Sequence, residues 1–127
     1  MTTGIRPTYA EINLDALRHN FRLIKNSAGP ETELLAVVKA DAYGHGAVEV
    51  TKHLVMEGVT HFAVARLAEA LKLRDAGIEE NILIFGSLFP DEIETAVLND
   101  IQVTVTDHKD IDTIREIAVR NSIFVRV

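Results

Sequence analysis

A single lysine stands where an apolar run gives way to a turn with two glycines. The stretch reads Val37, Val38, Lys39, Ala40, Asp41, Ala42, Tyr43, Gly44, His45, Gly46. A lysine amine at the end of a strand can attack a carbonyl or an aldehyde once desolvation or a nearby positive charge lowers its pKa. The alternative interpretation is that Lys39 is a solvent-exposed charge at the rim of the fold, since most lysines are exposed to water.

The residues after Lys39 add to this chemistry. Glycines let a backbone approach a ligand, and the helix that follows offers free N–H groups to an anion. Tyr43 can donate its hydroxyl to a phosphate oxygen, or pack as an aromatic over the turn. Asp41 is interpreted as a turn or salt-bridge residue, and His45 as a helix cap or an exposed side chain.

The rest of the chain alternates between strand and helix patterns. After a strand-like lead-in over 9–13, apolar runs predict strands at 34–38, 61–65, 82–85, 101–106 and 123–127. Between them, apolar residues recur at helical spacing, with Asn13 as an N-cap, Gly29 as a terminator and Pro90 in a first turn. This rhythm predicts an α/β fold with a mostly parallel sheet.

Two architectures fit: an open doubly wound sheet, or part of a (β/α)₈ barrel. A whole barrel takes about 250 residues, whereas these 127 residues hold about four strand-plus-helix units and a fifth strand. Because the sequence stops within an apolar strand, we expect a truncated, N-terminal part of a barrel. Lys39 then stands at the C-terminal mouth, where barrel enzymes keep their active sites. The sequence does not match the dinucleotide-binding motif of a Rossmann fold, because Glu49 stands where that motif requires its third glycine.

Composition narrows the class of protein. The chain is 47% hydrophobic and 25% charged, with a formal net charge of −6 and no cysteine. These values predict a folded cytoplasmic protein that binds neither nucleic acid nor membrane. The histidines lack ligand spacing, so no metal site is predicted.

The lysine stretch, together with an N-terminal segment, resembles the start of bacterial alanine racemase. That segment reads Arg6, Pro7, Thr8, Tyr9, Ala10, Glu11, Ile12, Asn13. The family has a fold-type III pyridoxal-phosphate barrel followed by a β-rich C-terminal domain. The resemblance implies that residues 1–127 are the N-terminal portion of the barrel domain, with 1–13 as a lead-in strand and the C-terminal domain absent.

The resemblance also implies roles for individual residues. Lys39 corresponds to the lysine that holds pyridoxal phosphate covalently and serves as one of two catalytic bases. Tyr43 corresponds to a donor to the cofactor phosphate, and Phe85 to an apolar residue beside the cofactor, which is often leucine. The segment 63–69 matches a strand-to-helix turn of the family, in which Arg66 and Glu69 are equally well read as structural ion-pair residues.

The activity implied is that of an isomerase, interconverting L- and D-alanine to supply D-alanine for peptidoglycan. In the family the second base is a tyrosine from the partner subunit of a homodimer, so residues 1–127 are expected to be inactive alone. Three alternatives stay open: a broad-specificity amino-acid racemase, a non-catalytic pyridoxal-phosphate protein, and an α/β interaction domain in which Lys39 is a rim charge.

Overall fold

A computed structural model of the protein describes residues 8–127. The regular elements alternate along the chain: α1 (Leu14–Ala28), β1 (Leu35–Val37), α2 (Lys39–Gly44), α3 (Ala47–Met56), β2 (His61–Val64), α4 (Leu67–Asp75), β3 (Asn81–Ile84), α5 (Pro90–Leu98), β4 (Gln102–Val103), α6 (His108–Asn121). The α/β class predicted from the sequence is confirmed.

The four strands form one parallel sheet in the order β1-β2-β3-β4. Phe62 lies opposite Ala36 on one side and Ile82 on the other. A doubly wound sheet reverses its strand order at a switch point. Here the spatial order equals the chain order, which is the arrangement of consecutive units in a barrel wall.

The two faces of the sheet differ in burial. Side chains on one face of the sheet, the largest being Phe62, Ile82 and Ile84, form the core with helix residues such as Leu73 of α4. On the other face Leu35, Val37 and Leu83 are exposed or half-buried, and the small Ala63 is buried. This second face corresponds to the interior of a barrel, and Lys39 continues it at the end of β1.

The helices begin and end at residues suited to those positions. Asn13 caps α1 by accepting a hydrogen bond from Ala16 N at 2.9 Å, and Pro90 opens α5. In α4, α5 and α6 the third helical residue is acidic, and its carboxylate accepts a hydrogen bond from backbone N–H groups before the helix. These caps satisfy donors that the first turn leaves free.

Two predicted strands are absent. Residues 8–13 carry no regular structure, and the lead-in residues 1–7 lie outside the described part. Residues 123–127 are also not a strand: Ile123 and Val125 pack beside α5 and α6, and Arg126 bonds to Asn81 and Asp100. A parallel strand needs a neighbour in register, and these segments have none. The fifth strand of the sequence prediction is therefore wrong for the described residues.

No helix within residues 8–127 combines the length and the apolar character needed to cross a bilayer.

Candidate functional site

The backbone after Lys39 turns in the left-handed sense. Ala40, Asp41, Ala42 and Tyr43 have φ between 51° and 55°, so α2 is one turn of left-handed helix. Residues other than glycine disfavour this region by roughly 1–2 kcal/mol each. Four in succession therefore need contacts from elsewhere in the fold to hold them.

Backbone hydrogen bonds supply part of that support. Val38 N donates to Ala63 O at 2.8 Å, which continues the β1–β2 ladder up to the turn. Ala42 N donates to Val38 O and Gly46 N to Asp41 O, each at 2.9 Å. Gly46, at φ 85°, then starts α3 in a conformation that glycine adopts readily. The turn is thus closed at both ends by its own backbone.

Asp41 links the turn to two helices. Its Oδ1 accepts a hydrogen bond from Ala47 N at the start of α3 and from Lys72 Nζ on α4, both at 3.0 Å. The Ala47 hydrogen bond, then the Lys72 hydrogen bond and charge, hold the pKa of Asp41 below its usual value. The interpretation of Asp41 as a turn and salt-bridge residue is confirmed.

The same contact corrects a prediction about α3. The sequence suggested that its N-terminus offers free N–H groups to an anion. The carboxylate of Asp41 already accepts from Ala47 N and brings negative charge to that end of the helix. A phosphate at this position would meet one occupied donor and a like charge, so the N-terminus of α3 is a poorer anion site than the sequence suggested.

Glu69 connects the turn to the next strand-to-helix connection. Its Oε2 accepts from Ala65 N at 2.9 Å and from Arg66 N at 3.0 Å, and its Oε1 accepts from Ala40 N at 2.6 Å. Partial burial opposes ionisation of this carboxyl. The three N–H donors and the Arg66 charge outweigh that effect and lower the pKa of Glu69.

This lowered pKa predicts a pH dependence of stability. Because the folded state binds the proton less readily than the unfolded state, the stabilisation by Glu69 is fully present above its ordinary pKa of about 4.5 and is lost as pH falls through the lower, folded value. We expect Glu69→Gln to reduce the urea midpoint at neutral pH and to differ less from wild type at about pH 3. Glu49→Gln, at an exposed position of α3, is the control; a pH-independent difference would contradict the assignment.

The three site residues predicted from the sequence lie at the same edge of the sheet. Lys39 begins α2 directly after β1, and Phe85 follows β3, 44% exposed, with its N–H bonded to Val64 O. Tyr43 is 60% exposed. It lines, with His45, a groove of about 620 Å³ between α1 and β1, and Lys39 is not among the residues lining that groove. Lys39 and Tyr43 thus lie on the same turn, and of the two only Tyr43 lines this groove.

His45 does not cap α3 through its ring. Its Nδ1 donates to Ala42 O at 2.9 Å and is 3.2 Å from Tyr43 O, and the side chain is exposed. Among residues 8–127 no group of three or more His, Asp or Glu side chains is arranged to hold a metal ion.

Sequence reasoning did not assign the link from Glu69 to Ala40. The recurrence of an acidic residue at the third position of α4, α5 and α6 could have indicated the helix cap. The link itself spans 29 residues of sequence and depends on how two connections pack.

Parallel strands in consecutive order, each followed by a helix, define part of the wall of a (β/α) barrel, and Lys39 lies at the C-terminal end of its first strand. Residues 12–127 match the family described as alanine racemase, N-terminal domain. The chain belongs to that family.

Individual relatives agree with this assignment. Alanine racemase 1 of Caldanaerobacter subterraneus subsp. tengcongensis is 50% identical over 106 residues, covering 84% of this chain and 27% of the relative. The alanine racemase structure from Clostridium difficile 630 superposes with a TM-score of 0.88 at 46% identity, covering 91% of this chain and 30% of that one. The barrel interpretation is therefore confirmed, and this chain spans less than a third of either relative.

One structural relative carries another name. Histidine racemase from Leuconostoc mesenteroides subsp. sake superposes with a TM-score of 0.79 at 29% identity, over 88% of this chain and 30% of that one. The fold of residues 8–127 is thus shared by racemases named for different amino acids.

Proposed function

We propose that residues 1–127 form the N-terminal portion of the pyridoxal-phosphate barrel domain of an alanine racemase, an isomerase that interconverts L- and D-alanine. The observation that carries this proposal is Lys39, placed at the C-terminal end of β1 by a left-handed turn in a chain of this family. We also propose that the protein supplies D-alanine for peptidoglycan in the cytoplasm.

The residues present fit this cofactor in part. No salt bridge within residues 8–127 engages Lys39, so its amine is available for a covalent bond to an aldehyde. The exposed Tyr43 hydroxyl suits a phosphate oxygen, and Phe85 offers an apolar surface at the same sheet edge. The N-terminus of α3 suits the phosphate less well, because Asp41 occupies its Ala47 N–H.

Bound pyridoxal phosphate would supply an electron sink for the negative charge left when an α-proton is removed. Lys39 would hold the cofactor covalently, and its amine, when free and neutral, would remove or return the α-proton on one face of the substrate. Inversion requires a second acid–base group on the opposite face. We propose that a partner subunit of a homodimer supplies it, so that residues 1–127 alone do not racemise alanine.

Borohydride trapping tests the anchor. Borohydride reduces a carbon–nitrogen double bond between lysine and an aldehyde to a stable secondary amine, which peptide mass mapping locates. We expect the natural full-length protein, incubated with pyridoxal phosphate, to carry the adduct on Lys39 and to form D-alanine from L-alanine. An adduct without D-alanine would favour a non-catalytic cofactor protein. If no adduct forms on Lys39, both cofactor hypotheses are refuted, and the interaction domain is the remaining one.

The match to a histidine racemase favours one second candidate, a racemase of broader specificity. Measuring kcat/KM for alanine, serine and histidine on the same preparation separates the two. A preference for alanine over both others supports the first proposal, and comparable values support the second.

A further inference from the structure

The carboxylate of Glu69 serves two connections at once. Its Oε2 caps α4 through Ala65 N and Arg66 N, while its Oε1 accepts from Ala40 N, the residue directly after Lys39. Ala40 is also the first of the four left-handed residues. The Ala40 bond therefore acts where the chain changes from strand to left-handed turn.

Helix α6 shows what the cap alone requires. Asp110 holds the same third helical position as Glu69, and its Oδ2 accepts from Thr106 N at 2.8 Å and from Asp107 N at 3.0 Å. These donors stand four and three residues before Asp110, as Ala65 and Arg66 stand before Glu69. An aspartate is thus long enough to cap such a helix. The additional methylene of Glu69 brings its second oxygen to Ala40.

Hydrogen bonds hold both peptides that flank Lys39. Val38 O, in the peptide before Lys39, accepts from Ala42 N at 2.9 Å, and Ala40 N, in the peptide after it, donates to Glu69 Oε1. The direction in which the Lys39 side chain leaves the backbone is fixed by these two peptide planes. The first bond lies within the turn itself, whereas the second depends on one side chain.

We propose that Glu69 is a positioning residue for Lys39, which holds the Ala40 N–H and so sets the direction of the lysine side chain. The proposal rests on the proposed function of Lys39 as cofactor anchor and base. Glu69 acts through the backbone and does not touch the reacting atoms. The competing explanation is that Glu69 only caps α4.

The variant Glu69→Asp separates these explanations, because α6 shows that aspartate retains the cap. In the full-length protein with pyridoxal phosphate we expect the Ala40 amide to exchange faster with solvent, while the Ala65 and Arg66 amides, which the cap holds, exchange as in the wild type. We expect kcat for alanine racemisation to fall about tenfold, because a charge-assisted hydrogen bond is lost, while KM changes little.

Asp110→Ala is the matched control, since it removes a cap of the same geometry at a helix without contact to the Lys39 turn. It is expected to lower the thermal midpoint and to leave kcat and the Ala40 exchange rate unchanged. A Glu69→Asp protein with wild-type kcat would overturn the proposal, even if the Ala40 amide exchanges faster.

If the proposed function of Lys39 is wrong, the same experiments give a different set of results. Wild-type protein without an adduct on Lys39 and without racemisation would refute the cofactor role. In that case the Ala40 exchange rate still decides whether Glu69 holds the turn: an unchanged rate in Glu69→Asp overturns that claim, and a faster rate supports it.

Discussion

Replacing Lys39 with alanine is expected to lower kcat for alanine racemisation by about 10³-fold or more and to abolish borohydride-stable labelling by pyridoxal phosphate. A positioned acid–base group contributes about 10²–10⁴-fold, and this substitution also removes the covalent anchor. Steady-state kinetics and peptide mass mapping on the full-length protein provide the two measurements.

Lys39→Arg distinguishes the chemistry of the amine from its charge. Arginine keeps the positive charge and stays protonated, so it cannot serve as nucleophile or neutral base. If Lys39 were only a rim charge, arginine would restore function; we expect it to fail as alanine does. Lys52→Ala, at an exposed position on α3, is the control and is expected to leave both measurements unchanged. If labelling persists in Lys39→Ala, another lysine must be the residue that binds pyridoxal phosphate covalently.

Replacing Phe62 with alanine is expected to reduce the free energy of unfolding by about 3–5 kcal/mol. Phe62 is 0% exposed at the centre of the sheet, between β1 and β3, where removing the ring leaves a cavity. Proteins of this kind have only about 5–15 kcal/mol in total, so the variant stands near the limit of folding. Urea unfolding followed by far-UV circular dichroism measures the change.

The same substitution at Phe89 gives the comparison. Phe89 precedes α5 and is 74% exposed, so its removal creates no cavity. We expect Phe89→Ala to change the free energy of unfolding by about 0.5 kcal/mol or less. Equal losses at the two phenylalanines would mean that the core does not lie between the sheet and its helices.

Local sequence signals predicted most helix ends and the parallel strands. Asn13 and Pro90 act through their own side chain or ring on the adjacent turn, so their positions indicate helix starts without knowledge of the fold. The alternation of strand and helix patterns correctly indicated a mostly parallel sheet. Such patterns are local, and one sequence contains all that is needed to recognise them.

The strand predicted over 123–127 failed because strand formation is not local. Ile123, Phe124 and Val125 favour extended structure, but a parallel strand forms only beside a neighbour in register. In the described residues Arg126 instead binds Asp100 through both carboxylate oxygens, at 2.6 and 2.7 Å, and Asn81. The contacts at the end of the chain are therefore tertiary, and apolar pattern alone does not specify them.

The candidate site was predictable only in its position. The place of Lys39 after an apolar strand is readable from the sequence, whereas the left-handed path of the next four residues is not, since alanine and tyrosine do not favour it. Asp41 and Glu69 support that path through partners 31 and 29 residues away. The roles of Lys39, Tyr43 and Phe85 toward a cofactor stay predictions for the experiments above.

The left-handed turn reverses a common rule of protein engineering at Ala40 and Ala42. Glycine usually weakens a helix, but at positive φ it relieves the clash that alanine suffers, so glycine at these sites is compatible with a more stable fold. It would also leave the turn beside Lys39 less constrained. A glycine variant at either position would therefore exchange rigidity beside Lys39 for stability of the fold.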